Sequence, residues 1–366
     1  RANQLAAHMD FSEDNVDRVR RFWDFDRIAS RPGLAAVDMF DAVADGRIKA
    51  IWIMATNPAV SLPKSAAVNA ALANCDFVVV SDCVGATDTT RHANVLLPAK
   101  GWGEKDGTVT NSERCISRQR AFLVDAGGAR ADWEMIMGVA RRMGFAAQFD
   151  YDSAADIFRE HAALSAFEND GSRDFDIGAL RDLRDAEYDA LSPTYWPCAE
   201  SAPATTEPHT IFADNQFFTP TGRARMVPVR SFGVAREVCI DYPLLLTSGR
   251  LRDQWHTMTR TERSTKLNKH RPWPTVTVHP LDARQHGLKA GVVARLTSRE
   301  GKADLLVRCS TSVQPGALFV PMHWSDQWAS AARIDSLFFG ATDPISQQPE
   351  LKSEPVSVSA LEIETH

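Results

Sequence analysis

Three short apolar runs, each closed by polar residues, constrain the fold of this chain most strongly. The runs cover residues 48–56 (IKAIWIMAT), 76–80 (DFVVV) and 94–97 (NVLL). A helical pattern precedes the first run at 33–46, and another separates the first run from the second at 64–74. Continuous apolar strands that alternate with helices are typical of a parallel sheet covered on both faces. The sequence therefore predicts an α/β fold in this region.

The pattern changes beyond a stretch rich in Pro, Ala and Thr at 197–210, which we interpret as a linker. Short strands with turn residues between them are predicted, with a hairpin turn at 299–302 and one small helix near 280–287. The strands are 242–248, 275–278, 292–297, 303–308 and 317–321. This spacing predicts a compact β-barrel. We place an end of a preceding domain at 1–30, an α/β domain at 31–196, a linker and hairpin at 197–235, and the barrel at 236–366.

Composition narrows the classes of partner. The formal net charge of -6 gives no basic footprint, so we expect no nucleic acid partner. No apolar stretch approaches the roughly 20 residues that span a bilayer, so we expect no membrane contact. The chain does not begin with Met, and we expect it to be part of a longer protein. The six cysteines form no C-x-x-C pair, which favours reduced, structural thiols in a reducing compartment.

Polar residues close two of the predicted strands. Asn57 follows the first run, and Ser81 and Asp82 follow the second. Ligands of parallel sheets bind at the carboxyl ends of the strands, so these three residues are candidates for ligand binding. No G-x-G-x-x-G motif occurs, which excludes an ordinary nicotinamide fingerprint.

Two loops combine cationic side chains with other ligand-binding groups. Residues 102–114 (WGEKDGTVTNSER) include Lys105, which can donate to a phosphate, although a solvated turn is the alternative. Residues 248–260 (SGRLRDQWHTMTR) offer Arg250, a stacking face on Trp255, and His256. The alternatives for this run are nucleic acid binding and a neutral, hydrogen-bonded histidine.

Three further features carry weaker predictions. Asp132 is predicted as the N-cap of an amphipathic helix at 132–144. His323 and Trp324 form either a lid over a flat ligand or a barrel rim, and Lys352 is either a solvated charge or a ligand contact. No hydrolytic triad, paired-carboxylate site or P-loop occurs. The residues alone therefore favour a nucleotide-like, anionic ligand held between an α/β domain and a barrel.

Taken together, these runs resemble the molybdopterin oxidoreductase superfamily, and within it the assimilatory nitrate reductases. The resemblance is weakest at 172–236. It rests on an ordered set of motifs, namely ANQLAAHMDF, IWIMATNPAVSLP, DFVVVSD, TDTTRHANVLLPAKGWGEKDGTVTNSERCISRQRAF, SGRLRDQWHTMTRT, VHPLDA, FVPMHW and TDPISQQPELK.

The resemblance implies the end of a second domain, a Rossmann-like third domain and a double-psi-type β-barrel. It implies two molybdopterin guanine dinucleotides with molybdenum, and an iron–sulfur cluster in an N-terminal portion outside this chain. It assigns neither a catalytic residue nor a metal ligand to this chain, and it gives Asp132 a second reading as a ligand to guanine. The implied cofactor contacts are Asn57, Ser81, Asp82, Lys105, Asp132, Ser248, Gly249, Arg250, Gln254, Trp255, His256, Thr257, His323, Asp335 and Lys352.

The implied reaction is reduction of nitrate to nitrite by oxygen-atom transfer, with an electron donor protein or reductase subunit as partner, in the cytoplasm. The chain alone is expected to be inactive, and its groups are expected to hold and tune the cofactor. The alternatives are a periplasmic nitrate reductase, a formate dehydrogenase, a cofactor-binding module without catalysis, and a fold without any ligand.

Overall fold

A computed structural model describes residues 4–124, 127–201, 205–230 and 233–361. The chain divides into two compact units. The first unit contains residues 1–34 and 99–230, and the second contains residues 35–98 and 231–366. The first unit has one apolar core and the second has two, one in the parallel sheet and one in the barrel. This grouping does not test the predicted domain boundaries, which stay a prediction.

The described residues form helices and strands in alternation, followed by a region dominated by strands. The α-helices are α1 (Glu13–Phe22), α2 (Ala36–Ala44), α3 (Pro58–Ser61), α4 (Ser65–Asn74), α5 (Asp132–Arg142), α6 (Ala154–Ala166), α7 (Asp185–Asp189), α8 (Thr265–Asn268) and α9 (Pro280–Gln285). The strands are β1 (Ala50–Met54), β2 (Phe77–Asp82), β3 (Val95–Pro98), β4 (Gly107–Thr110), β5 (Cys115–Gln119), β6 (Thr194–Tyr195), β7 (Leu244–Gly249), β8 (Thr275–Val278), β9 (Val293–Thr297), β10 (Lys302–Cys309), β11 (Ala317–Pro321) and β12 (Glu354–Ala360).

The first unit contains a small antiparallel sheet with the order β4-β5-β6. Its core gathers side chains from α1, α6 and the segment that leads to β6, such as Val19, Phe158, Ile177 and Tyr188. No helix among the described residues is long and apolar enough to cross a membrane.

The three apolar runs singled out in the sequence form the sheet β1-β2-β3 of the second unit, and the prediction of a parallel sheet is confirmed. Ile51 and Ile53 of β1 and Val78 and Val80 of β2 are buried, because alternate side chains of a strand point to the same face. These side chains pack with residues of α2 and α4, which connect to the sheet in sequence. All three strands run in the same direction, so their carboxyl ends lie at one edge of the sheet.

The predicted barrel is confirmed, and it is closed by six strands in the order β10-β8-β11-β7-β12-β9. Its interior is filled by fully buried aliphatic side chains, including Leu246, Leu296, Leu305 and Leu318. The predicted turn at 299–302 joins β9 to β10 as an antiparallel pair. The sequence analysis missed β12, which closes the barrel between β7 and β9. This strand begins with a buried glutamate and a proline, and neither residue is typical of a strand interior.

Two local predictions were wrong. Ala131, and not Asp132, is the N-cap of α5, and its backbone N–H is bonded to Glu134 Oε2 at 2.7 Å. The sequence pattern also predicts one apolar face made by Trp133, Ile136, Met137, Ala140 and Met143. In the structure Ala140 is buried, but Ile136 and Met143 are exposed, and Met135, outside that face, is buried instead. Packing against the rest of the protein determines which face of a helix is buried. When a helix has apolar residues on several faces, its apolar pattern alone does not identify the buried face.

Candidate functional site

Asn57 connects the end of β1 to two loops of the second unit. Its side-chain amide is nearly buried, with 8% of the residue exposed. Its Oδ1 accepts hydrogen bonds from the backbone N–H and the hydroxyl of Thr89, at 3.1 and 2.6 Å. Its Nδ2 donates to Oγ1 of Thr257 at 3.0 Å. Asn57 thus connects the loop after β2 and the loop after β7 to the carboxyl edge of the sheet. Asn57 itself lies at this edge, as the sequence predicted.

Ser81 and Asp82 occupy the last two positions of β2. Ser81 is fully buried, and its hydroxyl accepts a hydrogen bond from Nε1 of Trp52 at 2.6 Å. Asp82 is partly exposed and accepts a hydrogen bond from the Val84 backbone at 2.8 Å. Burial raises the pKa of Asp82, and the charge of Arg260 opposes that rise. Ser81 therefore supports the sheet edge, whereas the side chain of Asp82 is partly exposed at that edge.

The end of β7 is fixed by the segment before β12. The hydroxyl of Ser248 donates to the Leu351 carbonyl at 2.7 Å, and the ammonium of Lys352 donates to the Ser248 carbonyl. A Cβ atom on Gly249 would lie 2.6 Å from the ring of Phe319, so only glycine fits this position without a shift of the ring. Lys352 thus has a definite partner at the strand end where the 250–258 loop begins.

His323 supports the loop at 250–258 from inside the second unit. It is fully buried, its Nε2 accepts a hydrogen bond from the Leu251 backbone at 2.8 Å, and its Nδ1 lies 2.6 Å from the His256 carbonyl. Since an N–H and a carbonyl face the two ring nitrogens, His323 carries its proton on Nδ1 and is neutral. Burial is the main cause that lowers the pKa of His323.

His323 makes stability depend on pH. In the unfolded chain a histidine binds a proton below about pH 6.5, whereas folded His323 does so only at lower pH, so the free energy of unfolding falls as pH decreases below about 6.5. One such group contributes at most about 1.4 kcal/mol per pH unit. We expect His323→Gln to flatten this dependence in urea unfolding measured from pH 8 to pH 5. An unchanged slope in the variant would contradict the assignment.

Four exposed side chains of the segment 250–260 lie close to one another. Arg250 lies with its guanidinium 3.1 Å from the ring nitrogen Nε2 of His256, and Arg260 lies over the ring of Trp255 at 4.7 Å from its centroid. The rings of Trp255 and His256 meet edge to face at 4.5 Å. Burial, followed by Arg250 and Arg260, lowers the pKa of His256. We call Arg250, Trp255, His256 and Arg260 the cationic cluster; two positive charges and an exposed indole suit an anion that carries a flat ring.

Gln254 and Thr257 face inward from the same loop. Gln254 is 6% exposed, donates to Asn268 Oδ1 at 2.8 Å and accepts from the Thr261 hydroxyl at 2.5 Å. Thr257 is 5% exposed and contacts Asn57. Both side chains therefore shape the loop. The predicted cofactor contacts of these two residues stay a prediction.

Asp335 is a buried carboxyl group without a hydrogen-bond partner for its Oδ1 atom. It lies in the 3-10 turn Ile334–Ser336. Burial raises its pKa to about 8, against the opposing charges of Lys352 and Arg333. At neutral pH the carboxyl group is mostly protonated, so it can donate a hydrogen bond as well as accept one.

Lys105 and Asp132 form a pair within the first unit. Lys105 Nζ lies 2.5 Å from Asp132 Oδ2, and both side chains are about one third exposed or less. The other carboxylate oxygen, Oδ1, is buried and has no hydrogen-bond partner. The stretch at 102–114 is less of a loop than predicted, since it contains a 3-10 turn and strand β4. Asp132 thus keeps one carboxylate oxygen without a hydrogen-bond partner in the described part of the chain.

Of the two alternatives for His323 and Trp324, a lid over a flat ligand does not fit the structure. Both residues are buried, with His323 at 0% and Trp324 at 3% exposure, so neither can close over a ligand. The sequence analysis also missed Thr89, the principal partner of Asn57. The run of polar residues 87–90 after the end of β2 was the signal that could have identified it. All six cysteines are free, and no group of three potential metal-binding side chains occurs among the described residues.

Two protein families match this chain over long stretches. Residues 2–142 match the family Molybdopterin oxidoreductase, and residues 244–355 match the Molydopterin dinucleotide binding domain. The matched stretches include the parallel sheet, the Lys105–Asp132 pair and the cationic cluster. The chain belongs to the molybdopterin oxidoreductase family.

Individual relatives are more specific. The chain is 47% identical to a nitrate reductase of Klebsiella oxytoca over 358 residues, and 40% identical to one of Shewanella frigidimarina over 383 residues. These alignments cover 98% and 99% of this chain but only 40% and 41% of the relatives, so the chain spans less than half of their length. Among solved structures, the acetylene hydratase of Pelobacter acetylenicus matches with a TM-score of 0.67 at 16% identity, covering 97% of this chain and 50% of that one. This last likeness shows the fold alone.

Proposed function

We propose that this chain is the cofactor-binding part of a molybdenum-dependent nitrate reductase that reduces nitrate to nitrite. The observation that carries the proposal is the cationic cluster, which a buried neutral histidine and a buried asparagine hold at the end of β7. The 47% identity to a nitrate reductase across almost the whole chain supports nitrate as the substrate. The proposed group is a molybdopterin guanine dinucleotide, two copies of which hold molybdenum.

The residues of the chain fit such a group. Pyrophosphate requires cationic donors, and Arg250, Arg260 and Lys352 supply them in the second unit. A guanine edge requires acceptors for its N–H groups, and each unit has a separate candidate: Asp132 Oδ1 in the first unit and Asp335 Oδ1 in the second, each a buried acceptor without a partner. When bound, the group supplies the metal and the redox chemistry that protein side chains lack.

The side chains of this chain bind, orient and tune that group. Arg250 and Lys352 offset phosphate charge, and Trp255 offers its exposed face for stacking. His323 fixes the backbone at Leu251 and His256, so that the loop is preorganised before the ligand arrives. Asn57 holds the neighbouring loops at the same edge. Residues that orient the direct contacts of a metal site often affect its affinity or activity by about 10- to 100-fold when they are removed.

We further propose the assimilatory type, with a cytoplasmic location, an electron donor protein or reductase subunit, and an iron–sulfur cluster in the part of the protein outside this chain. The predicted domain boundaries and the complete set of cofactor-binding residues belong to the same proposal. Its support is the ordered set of motifs, especially QWHTMTRT and EKDGTVTNSER.

The test uses the full-length protein that contains this chain. Molybdenum content, release of guanine nucleotide on acid hydrolysis, and nitrite formation with a reduced viologen dye are measured together. We expect all three, and we expect Arg250→Met to lower cofactor content while Arg252→Met, which removes an exposed arginine paired with Asp253, leaves it unchanged. If the protein contained the cofactor but did not reduce nitrate, or if it oxidised formate instead, the proposed substrate would be wrong. Absence of guanine nucleotide from the correctly folded protein would overturn the binding function.

A separate prediction concerns Trp255. We expect Trp255→Ala to weaken cofactor retention by about tenfold, since loss of a stacking contact costs on the order of 1–1.5 kcal/mol. The melting temperature of the cofactor-free protein should not change, because the indole is 40% exposed. The measurement is cofactor content after dialysis, with Trp273→Ala, an exposed tryptophan outside the cluster, as the control. Loss of stability equal to the loss of cofactor would show that Trp255 is a core residue instead.

A further inference from the structure

Three segments of the second unit are bonded to one another in a closed ring. They are the loop 83–92 after β2, the loop 250–258 after β7 and the turn 323–329 after β11, which we call the sheet loop, the barrel loop and the linking turn. Asn57, at the end of β1, is hydrogen-bonded to both loops. The linking turn is hydrogen-bonded to both loops as well, and these contacts close the ring.

The linking turn holds the barrel loop by three hydrogen bonds. His323 Nε2 accepts from the Leu251 N–H at 2.8 Å, and its Nδ1 donates to the His256 carbonyl at 2.6 Å. Farther along the turn, Nε1 of Trp328 donates to the Thr257 carbonyl at 3.3 Å. Because His256 belongs to the cationic cluster, the turn fixes the backbone at the cluster itself.

The linking turn also holds the sheet loop. Nε2 of Gln327 donates to the Ala86 carbonyl at 3.1 Å, and Oδ2 of Asp326 lies 3.8 Å from Nη2 of Arg91. Gln327 and Asp326 are exposed, so each of these contacts is weak by itself. Their effect therefore depends on how firmly the turn holds the two side chains.

The linking turn is fixed from inside by Ser325, which is fully buried. Its hydroxyl accepts a hydrogen bond from the Gln327 N–H at 3.2 Å, and its carbonyl accepts from the N–H groups of Trp328 and Ala329 at 3.0 and 2.9 Å. Gln327 and Trp328 are neighbours in sequence, yet one contacts the sheet loop and the other contacts the barrel loop. A displacement of one loop therefore moves the turn, and the turn moves the other loop.

From this ring of contacts we infer that a ligand bound at the cationic cluster also orders the sheet loop, with Gln327 and Trp328 as positioning residues for both loops. Binding that fixes one part of a bonded network lowers the entropic cost of ordering the rest of it. The ligand meets the barrel loop directly and reaches the sheet loop through the linking turn and Asn57. This inference rests on the proposed binding of an anion at the cationic cluster.

The sheet loop depends on the ring for its position, because one of its own residues opposes burial. The side chain of Asp88 is only 1% exposed, and neither of its carboxylate oxygens has a hydrogen-bond partner in the described part of the chain. The guanidinium of Arg91 lies 4.0 Å from Oδ1, which is beyond hydrogen-bonding distance. A buried carboxylate without hydrogen bonds favours opening of the loop toward water. Contacts from outside the loop therefore decide how often it opens.

The first test needs no ligand and measures hydrogen exchange by mass spectrometry in the cofactor-free, full-length protein. Trp328→Phe keeps an aromatic ring but removes the N–H bonded to the barrel loop, and Gln327→Ala removes the donor to the sheet loop. We expect each variant to speed exchange in the loop that it does not contact, by about threefold or more. Trp273→Phe and Gln348→Ala, at exposed positions outside the ring, are the matched controls and should change neither loop. Effects confined to the loop that each side chain contacts would overturn the inference.

The second test adds inorganic pyrophosphate to the same protein as a probe of the cationic cluster. We expect it to slow exchange in the barrel loop and in the sheet loop, and Arg250→Met should abolish both effects. In the double variant Gln327→Ala/Trp328→Phe, the barrel loop should still be protected, whereas protection of the sheet loop should fall by about threefold. A merely structural role would change exchange equally with and without pyrophosphate.

The outcomes separate this inference from the proposed function. Protection of the barrel loop alone in the unaltered protein, or undiminished protection of the sheet loop in the double variant, would overturn the inference and leave the proposed function standing. Protection of neither loop would contradict the proposed anion site. The exchange rates of the single variants would then still decide whether the two loops are coupled.

Discussion

Asn57→Leu should lower the free energy of unfolding by about 3 kcal/mol and reduce cofactor content at least tenfold. The substitution keeps the volume of the side chain but removes the acceptor of the Thr89 backbone N–H and hydroxyl, and the donor to Thr257. Each buried polar group left without a partner costs about 1–3 kcal/mol. The second effect follows because the two loops that Asn57 connects lose their common anchor.

Urea unfolding and molybdenum content, measured on the same preparations, check this prediction. Asn74→Leu is the control, because Asn74 is exposed at the end of α4 and should change neither quantity by much. A stable Asn57→Leu protein with full cofactor would show that the loops are fixed by other contacts. A destabilised protein with full cofactor would confine Asn57 to a structural role.

Leu318→Ala should lower the free energy of unfolding by about 3–4 kcal/mol. Leu318 is fully buried on β11, where it pairs in register with Leu246 of β7 and Val278 of β8. A leucine truncated in a closed barrel leaves a cavity that the surrounding strands cannot readily fill, and such changes cost about 2–5 kcal/mol. The melting temperature should fall by roughly 2–4 °C for each kcal/mol in a unit of this size.

Leu281→Ala is the control for the barrel, since Leu281 is 52% exposed on the small helix α9. Calorimetry of both variants gives the comparison. Equal and small losses would mean that the barrel interior relaxes around the cavity. Because the 250–258 loop begins where β7 ends, a weakened barrel should also increase protease cleavage in that loop.

The candidate site contains two kinds of polar and aromatic residues that the sequence does not distinguish: buried residues that support loops, and exposed residues. Ser81, Ser248 and Gln254 are buried, and their side chains are bonded within the protein. Arg250 and Trp255 are exposed and can meet a ligand directly. The motifs of the sequence contain both kinds, and only the tertiary structure separates them.

The sequence by itself determined the elements that depend on local pattern. Continuous apolar runs with helices between them predicted the parallel sheet, and alternating short strands predicted the barrel; the motifs predicted the family. The tertiary structure alone decided that Glu354 and Pro355 lie in a closing strand, that His323 is a buried support, and that Ala131 caps α5. It also brought Asp326 to Arg91, more than 200 residues away along the chain. The local sequence pattern indicates which secondary structure a segment favours. Burial and the pairing of distant charges arise only when the chain has folded.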